Sequence, residues 1–320
     1  MKYISFVIPC YRSENTIEIV ISELIATITN GGISDYEIIL VNDCSPDDVW
    51  KVIQHLSEKN PKIKGISLSR NFGQHAALMA GYAYCEGDYV VSLDDDGQMP
   101  LEVLLQMIEQ LDSGYDVACT YYEEEIKKSL YRKFGTWIAE KMSKVMLGAP
   151  KDFKSSSFYI ARKFVIKEMI RYKNAYPYLA GLLLRTTKNI AYVPARHRER
   201  LEGSSGYSMK KLLALWLNGF TAFSVIPLRF ASFLGIFCSF IGFFIGILAI
   251  VRKLMNPDML LGYSSTIASI FFVGGVIMMI LGMIGEYIGR IYISINNAPI
   301  YVIKETTEMD ELINKRGELM

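Results

Sequence analysis

Two long runs without a charged residue constrain the fold of this chain more than any other feature. The runs Phe230 to Val251 and Ser264 to Gly285 each contain 22 residues and no Asp, Glu, Lys or Arg. A helix of that length is about 33 Å long, enough for a hydrocarbon core of about 30 Å. The runs predict a hairpin of two transmembrane helices over residues 229–290. The alternative is a buried helical hairpin inside a large soluble domain.

Basic residues are more numerous at the outer ends of this hairpin than in the loop that joins its helices. Positive charge favours the cytoplasmic side of a membrane. We therefore predict an inner-membrane protein whose N-terminal domain, C-terminal tail and termini are cytoplasmic. The outer basic residues are Lys210, Lys211, Arg229 and Arg290, and those of the loop are Arg252 and Lys253.

The first hundred residues alternate between β-rich runs and amphipathic stretches. This alternation is typical of an α/β domain with a mostly parallel sheet, which we expect to span residues 1–208. Residues 209–228 then predict a juxtamembrane interfacial helix, and residues 291–320 a tail with a short strand at Pro299–Ile303. The predicted strands are 3–8, 36–41, 63–68 and 87–92, and the predicted helices are 17–28, 49–56 and an Ala-rich helix that reaches residue 86.

Composition excludes several classes of protein. The net charge is +1, so nothing indicates electrostatic binding to nucleic acid. The five cysteines are odd in number and scattered, which argues against a disulfide framework or a zinc site. The chain has neither a Gly-rich dinucleotide fingerprint nor a phosphate-binding Gly-Lys-Ser/Thr loop. A dehydrogenase or an ATPase is therefore not expected.

Three consecutive carboxylates, Asp94 to Asp96, follow the fourth predicted strand. An apolar core cannot satisfy them, so they must face water, basic groups or a divalent cation. Asp94 and Asp96 point to the same side of an extended segment, and Gln98 follows on that side. Mg²⁺ and Mn²⁺ prefer such oxygen ligands together with phosphate oxygens of a substrate. The alternative is an acidic turn with solvated side chains.

Two other predicted strands also end in polar or aromatic residues. Pro9, Tyr11 and Glu14 follow the first strand, and Asn42-Asp43 follows the second. Ligands of parallel sheets bind at the carboxyl ends of the strands. Three such ends in one sheet favour a nucleotide site over a purely structural role.

These motifs resemble family 2 glycosyltransferases with the GT-A nucleotide-sugar fold. The later part of the chain narrows the resemblance to polyprenyl-phosphate glycosyltransferases, which include bactoprenol glucosyltransferases, dolichyl-phosphate mannose synthases and undecaprenyl-phosphate aminoarabinose transferases. The chain departs from their pattern at Asn42, where many have Asp, and at Ser155 to Ser157. The motifs are Ile8-Pro9-Cys10-Tyr11, Val41-Asn42-Asp43, Asn71-Phe72-Gly73, Gly87-Asp88, Asp94 to Gln98, Arg200 to Tyr207 and Pro227-Leu228-Arg229.

The resemblance implies roles for individual residues. Pro9, Tyr11, Glu14, Asp43 and Asp95 would bind the nucleotide, and Asp94, Asp96 and Gln98 would hold Mg²⁺ or Mn²⁺. Asp152 matches an acid that follows the metal motif in this group. The residues that would bind the acceptor phosphate are Arg200, Arg198, Arg132 and Ser156.

The sequence also bears on the acceptor. A sugar hydroxyl needs a general base, whereas a phosphate monoester is already an anion at neutral pH. The segment Asn174 to Gly181, where base-using relatives place an acid, contains no Asp or Glu. Basic residues follow instead, from Arg196 to Arg200, and a guanidinium matches phosphate oxygens. The alternative for these arginines is a positive membrane flank or ion pairs with Glu199 and Glu202.

A basic amphipathic stretch over residues 129–147 predicts a helix that either lies on the membrane surface or packs on the sheet.

The combined hypothesis is an inverting transferase that moves a sugar from a nucleotide sugar to undecaprenyl phosphate. Glucose is the preferred sugar and UDP the preferred nucleotide. A homo-oligomer is expected. The alternatives are an enzyme that extends another lipid-linked glycan and a noncatalytic nucleotide-binding subunit. A transporter is disfavoured because the runs contain no charge.

Overall fold

The computed structural model describes residues 2–122, 154, 156–173, 177–196, 198, 226–255, 262–295 and 299–307. The chain divides into two units, one formed by Met1–Ala214 with Asn297–Met320 and the other by Leu215–Asn296. The predicted helix at 129–147 lies outside the described residues, as do residues 209–225 of the predicted interfacial helix and Arg132, Asp152 and Arg200. Residues 226–228, the predicted end of the interfacial helix, instead begin the first helix of the second unit.

Within the described part of the first unit, the strands form one eight-stranded sheet in the order β7-β5-β6-β4-β1-β2-β3-β8. Pairing is parallel between β1, β2, β3 and β4 and between β5 and β7, and it is antiparallel where β6 and β8 join. The predicted mostly parallel α/β sheet is confirmed. The strands are β1 (Ile4–Cys10), β2 (Tyr36–Asn42), β3 (Ile63–Leu68), β4 (Tyr89–Ser92), β5 (Val117–Tyr122), β6 (Tyr159–Arg162), β7 (Ile190–Ala195) and β8 (Ile303–Thr306).

The helices of this unit cover the sheet with apolar faces. In the first helix, buried Ile17, Ile21, Leu24 and Ile28 recur at three- and four-residue intervals, so they form one stripe along the helix. That stripe and the inward side chains of the central strands form a continuous core. The helices are α1 (Ile17–Asn30), α2 (Val49–Lys59), α3 (Gln74–Tyr82), α4 (Leu104–Asp112), α5 (Lys163–Ile170) and α6 (Leu179–Thr186), with a 3₁₀ turn at Leu101–Val103.

Helix α3 packs closely against the centre of the sheet. A Cβ atom on Gly81 would lie 2.3 Å from Cγ1 of Val7, so only glycine allows this approach. The helix ends at Tyr82, four residues before the predicted end. The amides of Glu86 and Gly87 instead donate to Glu37 and to the Ser5 hydroxyl, which draws the chain out of the helix toward β4.

The second unit contains α7 (Ile226–Met255) and α8 (Tyr263–Ile295), which contact each other. Both are long and apolar enough to cross a membrane, as the sequence predicts. Large apolar side chains along them are exposed, for example Phe240 at 61% and Met278 at 71%. The described parts of these helices therefore do not have the pattern of a buried core hairpin.

The chain returns to the first unit after α8. Strand β8 pairs antiparallel with β3, with Ile66 opposite Thr306, and the Ser69 amide donates to the Val302 carbonyl at 2.8 Å. The strand prediction at Pro299–Ile303 is thus displaced by a few residues. An exposed edge strand is held by its backbone bonds, so the apolar residues before it are a poor guide to its position.

Candidate active site

The loops that follow β1, β2 and β4 meet at one edge of the sheet. Cys10 lies opposite Asn42 in the β1–β2 register, and Val7 lies opposite Ser92 in the β1–β4 register. Because the three strands are parallel, their carboxyl ends open toward the same side. The residues predicted for nucleotide and metal, from Pro9 to Glu14, at Asp43 and from Asp94 to Gln98, all stand at this edge.

Asp94 is held by two side chains from different parts of the chain. Its Oδ1 accepts a hydrogen bond from Nε2 of Gln74 at 2.6 Å, and its Oδ2 accepts one from the Ser157 hydroxyl at 2.7 Å. One hydrogen bond to each oxygen fixes the orientation of the carboxylate.

Asp96 and Gln98 stand on the same half-buried loop as Asp94. The Gln98 amide donates to Oδ1 of Asp96 at 3.1 Å, and the Gln98 side-chain amide donates to the carbonyl of Arg198 at 3.3 Å. The loop turns at Gly97, which has a φ of 72° that side chains rarely adopt.

Asp95 connects the loop after β4 to the loop after β1. We call the segment from Asp94 to Gln98 the metal loop, after its predicted role. Its Oδ2 accepts the Tyr11 amide at 2.9 Å, and its carbonyl accepts the Thr16 hydroxyl at 2.8 Å. Burial raises the pKa of the Asp95 carboxyl, and the Tyr11 amide opposes that rise. Asp95 thus joins two loops of the predicted nucleotide site, a role that the sequence does not indicate.

Asp43 is almost fully buried at the end of β2. The amides of Phe72 and Gly73 donate to its two oxygens at 2.7 and 2.8 Å. Burial raises the Asp43 pKa, and these two bonds to the charged form oppose the rise. The Asn71-Phe72-Gly73 motif therefore meets Asp43 through its backbone.

Glu14 connects the loops after β1 and β2. Its amide donates to Asp47 at 3.0 Å, and its Oε2 accepts the Asp48 amide at 2.8 Å, just before α2 begins. Pro9 is buried in β1, whereas Tyr11 is exposed at 43%. The structure brings all the predicted nucleotide residues together but gives the acids backbone partners.

The predicted acceptor residues are only partly described. The Ser156 hydroxyl bonds that of Thr120 at 2.8 Å and accepts the Phe158 amide at 3.2 Å. The Arg198 guanidinium forms ion pairs with Glu23 of α1 and, at 2.7 Å, with Glu102 of the 3₁₀ turn. Among the described residues, the Arg198 guanidinium is therefore engaged by two glutamates and does not extend unpaired into solvent.

The donor set fits a hard divalent cation. Asp94, Asp96 and Gln98 offer two carboxylates and one amide oxygen, and Mg²⁺ or Mn²⁺ takes one or two carboxylates together with substrate phosphates. The part of the chain that the structure describes contains no cluster of three or more His, Cys, Asp or Glu side chains arranged for a metal.

Several contacts at the site could not be read from the sequence. Gln74 and Ser157 hold Asp94, and Glu23 and Glu102 hold Arg198. Gln74 directly follows the Asn71-Phe72-Gly73 motif, and this position is a weak sequence signal for a role at the site. The sequence gives no such signal for Glu23, which is an ordinary polar residue of an amphipathic helix.

The mostly parallel sheet, with its acidic loops at the carboxyl ends of the strands, is a GT-A-like α/β fold. The chain matches the family described as glycosyl transferase family 2 over residues 5–170 and the GtrB C-terminal hairpin over residues 226–291. The chain belongs to the family 2 glycosyltransferases and is a glycosyltransferase.

Similar proteins cover nearly the whole chain. The uncharacterized glycosyltransferase YkcC of Bacillus subtilis (strain 168) is 32% identical over 98% of this chain and 95% of its own length. A prophage-derived bactoprenol glucosyl transferase of Shigella flexneri is 32% identical over 95% and 98%. The undecaprenyl-phosphate 4-deoxy-4-formamido-L-arabinose transferase of Edwardsiella ictaluri is 28% identical over 97% and 96%.

A solved structure shares the fold of the first unit. Glucosyl-3-phosphoglycerate synthase from Mycobacterium tuberculosis, in complex with Mn²⁺, UDP and glucosyl-3-phosphoglycerate, superposes with a TM-score of 0.51 at 17% identity. The match covers 69% of this chain and 80% of that one.

Proposed function

We propose that this protein transfers a sugar from a nucleoside diphosphate donor to the phosphate of a polyprenyl phosphate at a membrane. The observation that carries the proposal is the hairpin. A transferase domain joined to a match with the GtrB C-terminal hairpin, whose apolar side chains are exposed, is suited to a lipid-linked acceptor. The similar bactoprenol and undecaprenyl-phosphate transferases support this acceptor class.

At the donor side, Asp94, Asp96 and Gln98 would hold Mg²⁺ or Mn²⁺ on the diphosphate. When bound, the cation neutralises the charge that develops on the leaving diphosphate. Gln74 and Ser157 orient Asp94 through their hydrogen bonds. The loops that carry Pro9, Tyr11, Glu14, Asp43 and Asp95 would enclose the base and ribose.

At the acceptor side, the phosphate oxygen attacks the anomeric carbon directly. A phosphate monoester needs no general base, so Asp152 would position the acceptor or the cation. Arg200 would bind the acceptor phosphate, with Arg132 and Ser156 as further candidates. A single displacement inverts the anomeric configuration. Glucose is the preferred sugar, in keeping with the bactoprenol glucosyl transferases. UDP is the preferred nucleotide, on the resemblance to bacterial members of this group.

We further propose that α7 and α8 cross the inner membrane and that the catalytic unit and both termini are cytoplasmic. The pairing of β8 with β3 supports an even number of crossings, because the chain leaves the sheet unit before the hairpin and returns to it afterwards. A homo-oligomer stays a prediction, which light scattering of the detergent-solubilised protein tests.

The decisive experiment is lipid transfer by the purified full-length protein. It uses undecaprenyl phosphate, a panel of UDP- and GDP-sugars, and Mn²⁺, Mg²⁺ or a chelator, with mass spectrometry of the extracted lipid. We expect one monoglycosylated lipid phosphate from one donor, and none with chelator. A lipid with several added sugars would favour a glycan-extending enzyme. Nucleotide binding without turnover of any donor would favour a noncatalytic subunit.

A further inference from the structure

Arg198 is the meeting point of three elements near the metal loop. Its two terminal nitrogens bond Glu23 of α1 and Glu102 of the 3₁₀ turn, and its carbonyl accepts the side-chain amide of Gln98. One residue thus connects α1, the 3₁₀ turn and the loop that follows β4.

The local charge makes Arg198 a poor ligand for a phosphate. One guanidinium carries a charge of +1, whereas its two glutamate partners together carry −2. A phosphate that approached this cluster would meet net negative charge and would have to displace a carboxylate. The Arg198 side chain is 34% exposed, so water also weakens its long-range field.

The contact with Gln98 acts on the amide that a cation would bind. A side-chain amide has two N–H donors and one oxygen acceptor. Nε2 donates to the Arg198 carbonyl at 3.3 Å, so this contact directs the amide nitrogen toward Arg198 and favours one orientation of the amide. Metal sites commonly depend on such outer partners, which orient the atoms that bind the ion.

We propose that Arg198 is a positioning residue that holds Gln98, and with it the metal loop, through its ion pairs with Glu23 and Glu102. The inference rests on the proposed function, since it concerns the divalent-cation site of the same transferase. It replaces the sequence-based hypothesis that Arg198 binds the acceptor phosphate. Exposed ion pairs contribute little to stability, so this arrangement acts on local geometry more than on folding.

The test measures Mn²⁺ binding without turnover. Full-length protein in detergent is titrated with Mn²⁺, alone and with UDP or GDP, while electron paramagnetic resonance follows the free ion. We expect Arg198→Ala to weaken Mn²⁺ binding about 10-fold, in the range typical of outer-partner changes. The Glu23→Gln/Glu102→Gln double variant should show a similar loss. Adding Arg198→Ala to it should cause no further loss, because all three changes break one contact set.

A matched control removes a different surface arginine. Arg171→Ala breaks a pair with Glu168 at 3.1 Å on α5 and should leave Mn²⁺ binding unchanged. Thermal unfolding checks that each variant is folded. If Arg198→Ala does not fold, the Glu23→Gln/Glu102→Gln double variant still tests the proposal.

Steady-state kinetics separate this role from acceptor binding. A positioning role predicts a higher Mn²⁺ requirement with an acceptor KM within about twofold of wild type. A raised acceptor KM with unchanged Mn²⁺ binding would overturn the proposal and make Arg198 an acceptor ligand. If no donor supports transfer but Mn²⁺ binding still depends on Arg198, the proposed function fails and this inference stands. Unchanged Mn²⁺ binding in every variant would refute it.

Discussion

The two units of this protein treat apolar side chains in opposite ways. In the catalytic unit, Phe6, Ile8 and Leu24 are fully buried beneath the helices of an α/β sheet. In the hairpin, Phe240, Phe243 and Phe244 are exposed at 61–64%. Large exposed apolar patches on a protein mark a surface for an apolar partner. The same residue types therefore form a closed core in one unit and an exposed apolar surface in the other.

Polar groups differ between the units in the same way. The catalytic unit concentrates acids at one sheet edge, where backbone amides and side chains satisfy Asp43, Asp94 and Asp95. The uncharged runs of the hairpin offer no comparable group. The acidic sheet edge of the first unit therefore has no counterpart in these two runs.

Loss of one site carboxylate should have the largest effect. Asp94→Asn cannot accept both the Gln74 and Ser157 bonds in their present form, and it removes a charge from the metal loop. We expect transfer to fall about 10²–10³-fold, as when other transition-state charge stabilisation is removed. Initial rates with saturating donor and lipid measure the change.

The control for Asp94→Asn is another carboxylate that accepts a hydroxyl. Asp112 accepts the Tyr89 hydroxyl at 2.6 Å, and Tyr89 lies at the start of β4 while Asp94 follows its end. Asp112→Asn should leave kcat unchanged. Near-normal transfer by Asp94→Asn would remove Asp94 from the mechanism.

Truncation of a leucine should distinguish the two units energetically. Leu24→Ala in α1 leaves a cavity in the sheet core and should lower the free energy of unfolding by about 2–5 kcal/mol. Leu248→Ala in α7 removes a side chain that is 57% exposed and should cost less than about 0.5 kcal/mol. Denaturant unfolding followed by near-UV circular dichroism measures both. Equal losses would show that Leu248 is buried against a partner.

A lysine placed on each exposed apolar surface tests the membrane assignment directly. Phe240→Lys should oppose insertion by about 2.5–3.5 kcal/mol, the cost of a central lysine in a transmembrane helix. Ile19→Lys replaces a residue of α1 that is 52% exposed and should change nothing. The fraction of protein that resists alkaline extraction from membranes is the measurement. Full retention of both variants would argue against a spanning α7.

The sequence predicts the first half of the sheet well because each strand is an apolar run that ends in polar motif residues. The acids after β1, β2 and β4 could be assigned to one edge because parallel strands share that edge. Strands β5 to β7 were not predicted, since β6 inserts antiparallel between β5 and β4 through long-range pairing. A pairing of that kind leaves no local pattern.

The sequence predicts side-chain contacts much less reliably than it predicts strands. The sequence pattern groups Arg198 with neighbouring arginines, but its partner Glu23 lies 175 residues away along the chain. Likewise, the alternation of an extended segment separates Asp95 from Asp94 and Asp96, but it gives no sign that Asp95 accepts the Tyr11 amide. Periodicity shows which face a residue occupies, and only the fold shows what it meets there.

The smallest expected effect concerns a partly buried histidine in the catalytic unit. His75 lies in α3, and its ring centroid is 6.1 Å from that of Tyr178. Its buried Nδ1 has no hydrogen-bond partner among the described residues. Burial lowers the His75 pKa from 6.5 to about 4. The folded state therefore favours the neutral ring, and protonation of His75 destabilises the fold.

The sign of the pH effect follows from this pKa. Between pH 6.5 and 4 the unfolded chain binds the proton more tightly, so stability falls as the pH falls through that window. At pH 5 the loss from His75 should be about 2 kcal/mol, or about 4–8 °C in Tm for a unit of this size. We expect His75→Gln to show a smaller fall in Tm from pH 7 to pH 5 than wild type. His55→Gln, at an exposed position of α2, should match wild type. If His75→Gln loses as much Tm as wild type between pH 7 and pH 5, the acid sensitivity belongs to other groups. His75 in α3 would then behave like a surface histidine.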